Sequence, residues 1–240
     1  MRALASLHIP VIFVDDAEHP VPDATRSLTL LGRVLDREKE AAAYVAFYQA
    51  HLDHLQQVIA AQPKPHPTVF VEALAGRADA GGCCFTHGDF GWGLLVQAVG
   101  GRNLGSQLLK TPSGDISVEA LIAAQPDVFV MTGRGPGGAM LDFGYGAEAQ
   151  AIGRTFAALE GRAGLGALHA VQQGHVYGLY HPFYSSVFNI VALEYLAKFI
   201  YPQSFARLDP GATYRSLIAQ FTDIPAEPAI LGLQAPVHGG

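Results

Sequence analysis

The chain has 240 residues, half of them apolar and only 15% charged, enough to bury one large domain or one domain with an appendage. Its formal net charge of -6 and lack of any run of basic residues exclude nucleic acid as an electrostatic partner, because such partners leave a stripe of Lys and Arg. The longest apolar stretches, such as Leu28 to Leu31 and Val187 to Leu193, fall far short of the roughly 20 residues that span a bilayer, and Met1 to Val14 lacks the h-region and cleavage site of an export signal.

In chain order, His8 to Asp15 predicts a short buried strand, since Ile9, Val11, Ile12, Phe13 and Val14 form an apolar run closed by Asp15 and Asp16. Pro20 and Pro22 make Glu18 to Asp23 a turn-rich connection, and Ser27 to Leu35 reads as a short helix. A second helix starts at Asp36 as N-cap, with Glu38 and Glu40 in its first turns, and runs to about Ala61 before Pro63 and Pro65 stop it. At 1.5 Å per residue it measures roughly 38 Å, long enough to act as a strut.

Beyond that break, strands are expected at Thr68 to Ala73, Val128 to Thr132 and Gly174 to Leu179. Helices are expected at Phe90 to Val99, Ser117 to Ala124, Ser186 to Ile200 and Thr213 to Phe221. Strands that are apolar throughout and alternate with helices predict an α/β fold, a mostly parallel sheet flanked by helices, over residues 67–223. Ligands of open α/β sheets sit at the carboxyl ends of the strands, so the loops after Ala73, Thr132 and Leu179 are the places to look. Residues 224–240, with Pro225, Pro228 and Pro236, read as a loosely packed tail. Cys83 and Cys84 are the only cysteines and are adjacent, which predicts two buried thiols or a vicinal disulfide. No Cys-x-x-Cys pair suggests zinc.

Ile9 to Asp15, Leu30 to Leu35, Ala98 to Leu104, Ile116 to Val130 and His181 to Pro210, in this order and spacing, together resemble the iron-siderophore, haem and cobalamin class of substrate-binding proteins of bacterial ABC importers. Ile9-Pro10-Val11-Ile12-Phe13-Val14-Asp15 looks like the last strand of that family's amino-terminal lobe, and Leu30-Leu31-Gly32-Arg33-Val34-Leu35 like the start of its linking helix. Ala98 to Leu104 resembles its Gly-Gly turn, and Ile116 to Leu121 with Gln125 to Val130 its helix-to-strand segment. His181 to Ser186, with Asn189, Lys198, Tyr201-Pro202 and Leu208-Asp209-Pro210, resembles its final loop and helix. The resemblance implies a remnant of the amino-terminal lobe in residues 1–24, linking helices in 25–62 and the carboxy-terminal lobe in 67–223, with most of the first lobe outside this chain. It further implies binding of a ferric siderophore, ferric citrate or haem, no enzymatic turnover and no intrinsic cofactor, the ferric iron being part of the transported ligand. Delivery would be to ABC permease subunits from a periplasmic or lipid-anchored extracellular location. The protein would be a monomer or pair through its amino-terminal strand.

Candidate residues emerge from chemistry as well as resemblance. Tyr184 and His181 offer a phenolate oxygen and an imidazole to ferric iron. Arg134 and Arg77 come after expected strands and could pair with chelate carboxylates. His87 and Trp92, with Phe85 and Phe90, form an aromatic cluster that could stack on a catechol or porphyrin, although core packing suits Trp92 better. The family's permease contact falls on Glu119, a carboxylate in a first helical turn that would equally well stabilise the helix dipole. His51 and His54 lack a third ligand, and Gly133 to Gly138 lacks the Lys-Ser/Thr ending of a phosphate loop, so neither is taken as a site. The competing readings are an incomplete lobe that binds no ligand and a small metal-dependent α/β enzyme using His181, Tyr184 and a carboxylate. No Gly-x-Ser-x-Gly elbow, His-Glu-x-x-His pair or dinucleotide fingerprint after the first strand supports the enzyme.

Overall fold

Two helices lead into the sheet. The computed structural model describes residues 4, 6, 7, 9–77, 83–135, 140–225 and 229–235. Helix α1 (Pro20–Val34) begins where the sequence suggests a turn, because Pro20 stands at N1, a position that donates no hydrogen bond within the helix. The predicted N-cap Asp36 instead adopts a left-handed conformation (φ 57°) between the helices, and Arg37 takes the cap position of α2 (Glu38–Ala60).

The buried residues of α2 are Ala41, Tyr44, Tyr48, Leu52, Leu55 and Ile59, a stripe at three- and four-residue spacing that forms one face. That face packs on the carboxy-terminal helices, and Tyr48 donates to Asn189 Oδ1 at 2.8 Å. The strut therefore rests on the domain along its length.

The other elements run in order: β1 (Thr68–Glu72), β2 (Phe85–His87), α3 (Trp92–Ala98), β3 (Arg102–Asn103), α4 (Leu104–Leu108), β4 (Ser113–Asp115), α5 (Val118–Ala124) and β5 (Val128–Gly133). Then come β6 (Gly144–Tyr145), α6 (Ala149–Glu160), α7 (His169–Gln172), β7 (Val176–Tyr180), α8 (Asn189–Ile200), α9 (Pro210–Phe221), β8 (Ala229–Ile230) and β9 (Gly232–Gln234). The main sheet has the order β3-β1-β5-β7-β9. Its first four strands are parallel, and β9 runs antiparallel along β7. Asp127 pins the start of β1 by accepting from the Thr68 backbone N–H (2.7 Å) and hydroxyl (2.6 Å).

Both faces of the sheet are covered, as the apolar strands predict. Val69, Val71, Val130 and Leu179 pack under α2, α8 and α9, while Phe70, Phe129 and Met131 meet Phe143, Ile152 and Phe156 on the other side. Helix α6 is not among the elements expected from the sequence, and neither is the antiparallel pair β2–β4.

Two further expectations are corrected. The presumed tail contributes β9, whose neighbours Leu231 and Ala235 are buried, because the edge of β7 presents unpaired backbone groups that β9 satisfies. Pro228 and Pro236 lie outside the described residues. The run Ile9 to Val14 forms no strand: among the described residues nothing pairs with it, and a lone strand has no ladder to join. Its side chains stand in solvent, Phe13 being 71% exposed.

Helix α3 sits against the turn before it at a position where only glycine fits. A Cβ at Gly93 would lie 1.8 Å from the Gly88 carbonyl oxygen and 2.4 Å from Asn103 Nδ2. Gly93→Ala is expected to cost about 1–3 kcal/mol of stability through this overpacking, read as a lower midpoint in urea unfolding.

Candidate functional site

Three chain segments emerge at the carboxyl ends of the strands and meet there. Strand β7 runs into a 3-10 turn, His181–Ser185; β5 is followed by Arg134; and β2 ends at His87 just before α3. The position of β2 is set by the end of β1: Ala73 N–H donates to the Phe85 carbonyl (2.7 Å), and the Thr86 hydroxyl donates to the Val71 carbonyl (2.7 Å). Gly91, with φ of 47°, lets the turn close over the group, since a Cβ there would lie 2.7 Å from His87 Nδ1 and 2.9 Å from the Tyr184 ring.

Tyr184 is the centre of the cluster. Its half-buried ring lies edge-on to His181 (centroids 5.1 Å apart), His87 (5.3 Å) and Phe90 (6.3 Å), with Trp92 at 6.0 Å. Trp92 is fully buried, so it backs the site rather than offering a surface to a ligand. Its backbone N–H donates to His87 Nδ1 (3.2 Å), which places the His87 proton on Nε2 and makes that residue a hydrogen-bond donor.

His181 has two tautomers within reach. Nδ1 lies 2.8 Å from the Thr132 hydroxyl and 3.4 Å from Trp92 Nε1. Trp92 Nε1–H donates to Nδ1, which puts the proton on Nε2; in the other tautomer that long bond is given up, the Thr132 hydroxyl donates to the Glu72 carbonyl (3.3 Å) and accepts from His181 Nδ1–H, and Nε2 is left as a lone-pair donor. Burial keeps both imidazoles neutral. The His181 pKa falls to about 3, through burial first and then the nearby His87 and Arg134, and the His87 pKa falls to about 4 through burial.

Arg134 is exposed, and its charge acts on both His181 and Tyr180. Arg77 stacks on Phe85 with its guanidinium 4.4 Å from the ring centre, and Phe85 in turn lies against His87 (5.7 Å). Thus His87, Trp92, His181 and Tyr184 come into direct contact, with Arg134 and Arg77 at their margin.

Three tyrosines that the sequence does not single out cluster nearby, and of these Tyr180 feels the charge of Arg134. The Tyr145 and Tyr214 hydroxyls are hydrogen bonded to each other, and burial, Tyr145 and Tyr180 push the Tyr214 phenol upward. Tyr180 is raised by burial first and then by Tyr145. They come from β6, β7 and α9, so no spacing in the sequence signals them.

Glu119 lies elsewhere, exposed in the first turn of α5 behind its N-cap Ser117. Its own backbone N–H and the Ser117 hydroxyl hold its carboxyl below the ordinary value. It lines a cleft with Arg162 and Cys83. His51 is bonded to the buried Glu194 carboxylate (2.7 Å) instead of sharing an ion with His54. In the glycine-rich run, residues 136–138 lie outside the described residues.

With this geometry in place, a family profile described as Periplasmic binding protein matches residues 2–181. The chain belongs to this family. Its members are substrate-binding proteins of ABC importers. Among solved structures, it is similar to a TroA-like periplasmic binding protein FepB from Veillonella parvula, at 23% identity and a TM-score of 0.87 over 98% of this chain and 67% of that one. A periplasmic heme binding protein from Pseudomonas aeruginosa gives 21% identity and a TM-score of 0.62 over 84% and 67%. The molybdate periplasmic binding protein MolA of Haemophilus influenzae gives 14% and 0.68 over 92% and 67%.

These likenesses establish the binding-protein lobe fold, and the chain spans about two thirds of each of the three structures. No curated protein matches the sequence. Among the described residues, no helix is long and apolar enough to cross a membrane.

Proposed function

We propose that this chain binds a ferric complex, whether siderophore, citrate or haem, at the Tyr184 and His181 cluster and delivers it to an ABC permease. The observation that carries this reading is the convergence of a phenol and two neutral imidazoles at the carboxyl ends of the strands, with Arg134 at the rim. Phenolate and imidazole suit ferric iron left incompletely coordinated by a chelator, and a guanidinium complements the negative charge of a ferric chelate. His87 contributes a hydrogen bond, Phe90 and Arg77 a flanking surface, and Trp92 the rigid wall behind them.

In this reading the chain supplies one wall of the site, docks through Glu119 and works in the periplasm or as a lipid-anchored extracellular protein. The domain boundaries implied by the resemblance form part of the same proposal, with α1 and α2 leading into the lobe.

Trp92 is the sole tryptophan and lies beside Tyr184 and His181, so its fluorescence reports directly on the cluster. Titration with haem, ferric citrate and ferric siderophores should give saturable quenching with one class, and the iron-free chelators should give none. Tyr184→Phe is expected to weaken that binding about tenfold or more, as loss of a metal donor does, and Arg134→Ala to weaken anionic chelates selectively. Quenching that is equal with and without iron would refute the reading.

A further inference from the structure

A second group of donor atoms stands on the opposite face of the sheet. Glu72, the last residue of β1, shares the side of Phe70 by strand alternation and is 3% exposed. Both of its oxygens accept from Arg162, each at 2.6 Å. Cys83 and Cys84, joined as a vicinal disulfide, lie beside it, and one ligand atom from each of Glu72, Cys83 and Cys84 falls within 4.8 Å of the others. A cleft of about 650 Å³ reaches half-buried Cys83 and is lined also by Arg162, Ser117 and Glu119.

We propose that the reduced Cys83–Cys84 pair and Glu72 form a binding site for one thiophilic divalent cation, such as Zn²⁺ or Cd²⁺. The site is separate from the His181 cluster and independent of the ferric reading.

The chemistry balances in two steps. A small-molecule dithiol supplies two electrons and two protons to the Cys83–Cys84 bond and is itself converted to a disulfide. The cation then displaces the two thiol protons to solvent and forms two metal–sulfur bonds, with the Glu72 carboxylate as third donor.

Charge favours this set. Two thiolates and one carboxylate carry three negative charges, which a divalent cation and the Arg162 guanidinium together cancel. Arg162 can keep one hydrogen bond to Glu72 while the other oxygen turns to the metal. Thiolate sulfur selects soft and borderline cations over Mg²⁺ and Ca²⁺. The sequence lacks a Cys-x-x-Cys signal because the third donor arrives from β1 through the fold.

The test uses the full chain, reduced with a dithiol, freed of reductant without air and titrated with Cd²⁺ alone. An ultraviolet thiolate-to-cadmium charge-transfer band should grow and saturate at one equivalent. The same chain in its disulfide form should give no band, Cys83→Ser should give none, and Glu72→Gln should retain a band with affinity lowered about tenfold or more. Circular dichroism on each sample checks that the fold is unchanged. The proposal is overturned if the folded, reduced chain gives no band, or if Cd²⁺ affinity is the same in the reduced and disulfide forms. Because that comparison involves no substitution, a variant that fails to fold leaves the test intact.

Discussion

Arg162→Met is expected to destabilise the folded chain by about 3–5 kcal/mol, measured as a lower midpoint in urea unfolding at constant redox state. Glu72 is almost wholly buried, and the fork of Arg162 satisfies both of its oxygens at 2.6 Å. Removing the guanidinium leaves a carboxylate that is only 3% exposed without its counter-charge. Replacing both residues, as Glu72→Gln with Arg162→Met, should recover much of the loss, since no uncompensated charge then remains. Arg215→Ala provides the contrast. Its pair with Asp209 is 3.5 Å long with both side chains 64% exposed, and its removal should change stability by less than about 0.5 kcal/mol. An equal effect at the two sites would show that Glu72 is better solvated than its burial implies.

Stability should also fall on mild acidification, between about pH 6.5 and pH 5, where most exposed carboxylates are still ionised. His181 and His87 have folded pKa values of about 3 and about 4, against about 6.5 in an unfolded chain. Across the interval between those values the unfolded state binds more protons, so stability drops as pH falls and is recovered as pH rises. By about pH 5 the loss should reach roughly 2 kcal/mol for each histidine. Urea midpoints recorded across this range for the native chain and for His87→Gln and His181→Gln would check it. Each variant should show a shallower dependence on pH, and an unchanged slope would mean that the imidazoles are protonated within the folded state. The same depressed values keep both rings neutral at pH 7, as the proposed metal ligation by His181 requires.

How far the sequence discloses these features depends on how local their causes are. Strands β1, β5 and β7 are legible because burial on both faces makes every residue apolar or nearly so, and α2 because Tyr44, Tyr48, Leu52 and Leu55 repeat at helical spacing. Helix α6 carries the same signal in Ile152, Phe156 and Leu159, but Gly153 weakens its intrinsic helicity, and packing on Phe143 and the sheet sustains it. Pro20 and Pro22 read as turn residues because proline signals both a turn and a helix start, and only tertiary packing of the next two turns separates the two. In the candidate site, Tyr184 and His181 are adjacent to a predicted strand end and could be named. Tyr145, Tyr180 and Tyr214 could not, since three separate elements bring them together. The Glu72–Arg162 pair spans 90 positions and leaves no periodic trace.

The stretch from Ile9 to Val14 has a consequence for how the protein behaves in solution. Its β-branched and aromatic side chains, exposed and unpaired among the described residues, have the composition of a self-associating segment. Pro10 interrupts one end, since it cannot donate to a cross-chain ladder, and the charges of Asp15 and Asp16 guard the other. Asp15 is also tied down: its backbone N–H donates to the Ser27 hydroxyl (3.0 Å), which donates back to the Asp15 carbonyl (2.6 Å). Colloidal stability of this chain thus depends on a few residues at the borders of one short apolar run.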